Sequence, residues 1–92
     1  MKSEGPVAVS MRNKLDAAFS PQKLEIVDDS DRHRGHEGAR PGGESHFSVT
    51  IVAEAFAGRS RVERQRMINA ALREELAGPV HALSLKALAP GD

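Results

Sequence analysis

From Pro79 to Leu88 the chain alternates at period two, with His81, Leu83, Leu85 and Ala87 on one face and Ala82, Ser84 and Lys86 on the other. That is the pattern of a half-buried strand, and a strand with one apolar face must bury it against other elements of a sheet and its covering layer. His81 opens the apolar row. It reads either as a structural histidine capping the sheet edge and bonded to backbone, or as a metal ligand or acid/base group at the sheet rim. Two further runs supply the sheet. Lys23–Asp28 sets Leu24 and Ile26 on one face, and His46–Glu54 does the same with Phe47, Val49, Ile51 and Ala53. Between them, residues 29–45 are nearly devoid of apolar side chains and accumulate Gly35, Gly38, Pro41, Gly42 and Gly43. Such a segment has no face to bury and predicts a long mobile loop closing a hairpin.

The helices follow from a different period. Met11, Leu15, Ala18 and Phe19 fall on one stripe, predicting a helix over residues 6–19 with Pro6 at its first position, where the missing N–H is no loss. Pro21 stops it. A second helix is predicted over residues 62–76, with Ile68, Ala71, Leu72 and Leu76 inward, Met67 at the margin, and Arg64, Arg66, Arg73, Glu74 and Glu75 toward solvent. Ser60 is placed to cap it by accepting from the Glu63 backbone while the Glu63 carboxylate reaches back. The expected fold is therefore α+β, a three-stranded mixed sheet covered on one face by helices. It forms one domain over residues 1–92, with flexible tails at 1–5 and 89–92.

A chain of 92 residues with no cysteine cannot use disulfides, thiolate catalysis or an all-thiolate metal site. Imidazole and carboxylate are the remaining ligands for a transition metal. Thirteen basic residues balance thirteen acidic ones, so no global field draws the molecule to a polyanion. No apolar run is long enough to span a bilayer, and Met1-Lys2-Ser3-Glu4-Gly5-Pro6 lacks a signal-peptide layout, so a cytoplasmic protein without a membrane role is expected. A Gly-rich phosphate loop, a serine nucleophile motif and a helix bearing paired metal-binding histidines are all missing, which argues against an enzyme.

Several fragments occur in a fixed order: Leu24-Glu25-Ile26-Val27-Asp28-Asp29-Ser30, a histidine-bearing Gly-rich loop, Glu44-Ser45-His46-Phe47, Phe56-Ala57-Gly58, Arg64-Gln65-Arg66-Met67-Ile68, Glu74-Glu75-Leu76 and Val80-His81-Ala82-Leu83. In this the chain resembles the BolA family over nearly its whole length. The resemblance implies a type II KH-like fold and a cytosolic, non-enzymatic partner of monothiol glutaredoxins in iron–sulfur cluster handling and iron regulation. Some members are also described as morphology-linked, DNA-binding transcriptional regulators, so a part in transcriptional regulation and the stress response is a further expectation. It further implies a [2Fe-2S] cluster shared with the glutaredoxin cysteine and a bound glutathione, for which this chain supplies one loop ligand and the histidine that opens the last strand. His81 matches the second position. For the first, His33 and His36 are rivals, with His33 the closer match in position after Asp28-Asp29-Ser30. His46 reads as a structural residue anchoring the return of the loop. Alone, the protein is expected to hold no cofactor and to be a monomer or weak homodimer.

Two departures from the family pattern stand out. Arg64-Gln65-Arg66 has glutamine where the family usually has histidine, and glutamine is a poor iron ligand that does not protonate near neutral pH. After Ala89-Pro90-Gly91-Asp92, the C-terminal extension of some members is expected to be missing. The alternative reading is DNA binding through Arg59, Arg61, Arg64, Arg66 and Arg73. Against it, Phe19, Phe47 and Phe56 are all expected in the core, leaving no stacking platform, and Gly58-Arg59-Ser60-Arg61 lacks the second glycine of a KH backbone clamp. Phosphate contacts alone would be salt-sensitive and poorly sequence-specific.

Overall fold

The computed structural model describes residues 5–28 and 46–92. Its elements are α1 (Pro6–Phe19), β1 (Lys23–Asp28), β2 (His46–Val52), a 3₁₀ turn (Glu54–Phe56), α2 (Arg61–Ala71), α3 (Arg73–Ala77) and β3 (Ala82–Leu88). β2 is the central strand. It pairs antiparallel with β1, so that Lys23 faces Val52 and Asp28 faces Phe47, and parallel with β3, from His46 beside Ala82 to Val52 beside Leu88. The expected α+β architecture with a mixed three-stranded sheet is what the chain adopts.

The period-two pattern decides which face of the sheet is covered. Phe47, Val49 and Ile51 of β2 are fully buried against Ala8, Met11 and Leu15 of α1 and against Ile68 and Leu72, while Leu24, Ile26, Leu83, Leu85 and Ala87 pack at the margins of this core. Ala18 is exposed rather than on the stripe, because in the last turn of α1 it is Phe19 that reaches inward to meet the Phe56 ring at 5.0 Å. Ser20 then closes α1 in the left-handed conformation, φ 46°, with its N–H on the Asp16 carbonyl.

At the start of α2 the capping box is complete. The Ser60 hydroxyl accepts from the Glu63 N–H at 3.1 Å and the Glu63 carboxylate accepts from the Ser60 N–H at 2.9 Å, an arrangement worth about 1 kcal/mol. Gly58, at φ 74°, supplies the left-handed step that turns the chain into it.

Three expectations are corrected. The helix predicted over 62–76 is two helices, bent at Leu72 (φ −103°, ψ 20°), although the Leu72 N–H to Ile68 and Leu76 N–H to Leu72 bonds carry the ladder through. The bend accompanies a second correction: Glu75, expected in solvent, is buried. It accepts from the Ser10 hydroxyl at 2.6 Å and lies 2.8 Å from the Lys14 ammonium, tying α3 to α1. Residues 89–92, expected as a tail, fold back, with Ala89 buried and the Asp92 carboxylate accepting from the Ala89 N–H at 2.9 Å. Residues 1–4 and the loop 29–45 lie outside the described residues. Among the described residues no helix is long and apolar enough to cross a membrane.

The buried carboxylate makes stability pH-dependent. Burial pushes Glu75 up, but the hydrogen bonds from Lys14 and Ser10 more than offset it and leave the group below its ordinary value of 4.5. A carboxyl with a lowered folded-state pKa contributes stability that is complete above its unfolded value and is lost as pH falls through the folded one. Wild type is therefore expected to exceed Glu75→Gln in urea midpoint at pH 7, with the gap narrowing as pH drops below 4.5. A gap that stays constant from pH 7 to 3 would show that Glu75 is not the paired group.

Candidate functional site

One end of the sheet collects the histidines. β2 begins at His46, and His81 lies immediately before β3; because the two strands run parallel, both residues stand at the same rim. Their rings stack with centroids 6.2 Å apart and planes inclined by 24°. β1 ends at Asp28 beside Phe47 at this same rim, so both ends of segment 29–45 attach there. His81 does not start the core-facing row, as the alternation led one to expect. It sits one residue outside the strand and is exposed, whereas His46 is half-buried. Among the described residues, His81 makes no hydrogen bond or ion pair.

An exposed imidazole is a competent ligand when neutral and presented to a second molecule. It cannot hold a metal alone, and among the described residues no group of three or more His, Asp or Glu is arranged to do so. This donor set fits a group whose remaining ligands come from elsewhere. His33 and His36 lie outside the described residues. His46, expected only as an anchor, instead stacks on His81, and the register of parallel strands that brings the two together is set by the tertiary fold.

A second feature lies along β3. A cleft of about 560 Å³ is lined by Arg59, Arg61, Arg64 and Gln65 on one side and by Leu85, Lys86, Ala87 and Leu88 on the other. Arg64 was expected in solvent, but its side chain is only 16% exposed. Its guanidinium donates to the Arg59 carbonyl at 3.0 Å, to the Ala87 carbonyl at 3.0 Å and to Asp92 at 2.7 Å. The Ala89 N–H, with Arg64 after it, holds the Asp92 carboxyl below its usual range. Arg59 lies 3.7 Å from Glu63. Arg61, Arg66 and Arg73 are exposed, and neither Arg66 nor Arg73 lines the cleft. The expected five-arginine patch therefore reduces to a smaller group at the cleft, joined by Lys86, which sequence spacing did not connect to it.

The order helix, strand, strand, helix, strand on one mixed sheet, with a histidine rim at the end that anchors a long connection, defines a small α+β domain of the BolA type. A family model described as "BolA-like protein" matches residues 15–92. BolA-like protein 1 of Pongo abelii is 48% identical over 86 residues, which cover 94% of this chain and 60% of that protein. The DNA-binding transcriptional regulator BolA of Vibrio cholerae is 41% identical over 75 residues, covering 82% of this chain and 67% of that protein. Among solved structures, the BolA domain of SufE1 from Arabidopsis thaliana matches with a TM-score of 0.85 at 40% identity, covering 96% of each chain. This chain belongs to the BolA-like family. It spans about 60% of the length of the curated relatives it first matches.

Proposed function

We propose that this protein is a non-enzymatic adaptor that binds a monothiol glutaredoxin and co-ligates a [2Fe-2S] cluster through His81 and one loop histidine, His33 or His36, in iron–sulfur cluster trafficking or iron regulation. The observation that carries this reading is the rim itself. An exposed imidazole stands where both ends of the histidine-bearing segment attach. His33 follows Asp28 by five residues, a span of at most about 18 Å of extended chain, so the connectivity allows either loop histidine to reach the neighbourhood of His81.

Bound there, the cluster would be an electron-transfer or sensing group whose potential rises when imidazole replaces thiolate. The protein's own part is narrower. His81 presents an exposed ring with little to desolvate, one residue before β3 and beside the stacked His46 ring. The absence of cysteine from this chain requires thiolate ligands to come from the partner. The test is titration of the protein into a glutathione-loaded, cluster-bearing monothiol glutaredoxin, read by visible circular dichroism and size-exclusion chromatography. A changed cluster spectrum co-eluting with a one-to-one complex is expected. An unchanged spectrum with no complex would reject the reading.

The second reading, DNA binding, is favoured by one observation, the name of the Vibrio cholerae relative. Of the cations in and beside the expected patch, Arg61, Arg66, Arg73 and Lys86 are exposed, while Arg59 pairs with Glu63 and Arg64 is largely committed to internal acceptors. Such binding would be weak and salt-dependent.

A further inference from the structure

β3 is an edge strand: β2 pairs with one side of it, and among the described residues no strand pairs with the other. The direction of its backbone groups can be read from two hydrogen bonds. The Leu88 carbonyl accepts from the Ala53 N–H at 2.9 Å, toward the β2 side, and the Ala87 carbonyl accepts from the Arg64 side chain at 3.0 Å, on the opposite side. Backbone groups alternate in direction along a strand, so the N–H and C=O of Leu83 and Leu85 share the outward direction of Ala87. Four consecutive residues, Leu85 to Leu88, line the cleft. Side chains on successive residues point to opposite faces, so a cleft touched by all four runs along the strand's edge rather than over one face.

The charged residues that line this cleft are all basic, although Arg59 is paired with Glu63 and Arg64 with Asp92. Arg59, Arg61 and Arg64 border it from the helix side and Lys86 from the other. Arg61 and Lys86 are exposed and make no ion pair among the described residues. By contrast, the β1 edge carries a mixed pair, Lys23 and Glu25 at 3.6 Å. We propose that the outer edge of β3 is a docking strip for an extended acidic segment of another protein, which adds as a fourth strand with carboxylates against Arg61 and Lys86. A strand laid there alternates its side chains between the α2 arginines and Lys86, so acidic residues on either face meet a cation. Arg64, already holding the Ala87 carbonyl and Asp92, closes the strip at its far end.

Competing occupants fit less well. A second copy joined edge to edge would set the same cations against each other, which like-charge pairing across strands disfavours. Duplex DNA would use the cations but none of the outward backbone groups of Leu83 and Leu85, whereas strand addition uses both.

The proposal does not depend on the cluster, and its test contains neither iron nor glutaredoxin. Nitrogen-15-labelled protein is titrated at low salt with an end-blocked octapeptide alternating glutamate and valine. Saturable shifts centred on the amides of Leu83, Leu85 and Ala87 are expected, with binding about tenfold weaker in the double variant Arg61→Glu, Lys86→Glu and unchanged in Arg73→Glu. Two versions of the peptide, N-methylated at odd or at even positions, separate strand pairing from charge attraction without any protein variant. One version is expected to lose binding and the other to keep it. Equal binding by both, no saturable binding, or shifts spread over Arg66 and Arg73 would overturn the proposal. So would a duplex oligonucleotide that shifts the same three amides at lower concentration than the peptide.

Discussion

Replacing His81 with alanine is expected to abolish the change in visible circular dichroism that wild type is proposed to induce in a cluster-bearing glutaredoxin, while moving the free energy of unfolding by no more than about 0.5 kcal/mol. The two expectations are separable because of where the residue sits. His81 is exposed, precedes β3 and makes no hydrogen bond among the described residues, so its removal leaves no cavity and no orphaned donor. A stability loss of several kcal/mol would show that it is a structural histidine after all. His33→Ala is expected to remove the spectral change in the same way unless His36 substitutes, in which case only the double variant does so. His46→Ala is expected to retain it, since His46 is the more buried ring of the stacked pair. Wild-type spectra from His81→Ala and from the double loop variant together would overturn the ligand assignment.

Phe56→Ala is expected to have the largest effect on stability, about 3–5 kcal/mol in urea or guanidinium unfolding. The ring is fully buried, in a short 3₁₀ turn between β2 and α2, and meets Phe19 at 5.0 Å with a tilt of 41°. A tilted aromatic pair adds about 0.5–1.5 kcal/mol to burial alone. Domains of this kind have only about 5–15 kcal/mol in total, so the variant is expected to be partly unfolded at physiological temperature. Phe56→Leu, which keeps most of the volume, is expected to lose less. A loss below about 1 kcal/mol for alanine would mean that this turn does not seal the core between α1 and α2.

What was legible in the sequence was what local pattern controls. Alternation at Leu24 and Ile26, at Phe47, Val49 and Ile51, and at Leu83, Leu85 and Ala87 marked three strands and their covered face, because a strand's side chains have a strict period of two. Ser60 and Glu63 marked the start of α2 because a capping box is a contact between residues three apart. The conflict came at Glu75. Its place on a charged helix surface reads as solvated, and only the bend at Leu72 and the approach of Ser10 and Lys14, more than sixty residues away, make a paired and buried carboxylate of it. Arg64, expected in solvent, is held inward for the same reason, since its acceptors on Ala87 and Asp92 are distant in sequence.

The sequence by itself determined the elements, the absence of thiolate ligands and the presence of His81 at the head of the last strand. The tertiary structure alone decided that His81 is exposed, that His46 stacks on it, and that Lys86 joins the arginines of α2 along an open strand edge. Periodicity reports which side of an element is apolar, but strand order and register set which elements become neighbours, and those depend on contacts between residues far apart in the chain.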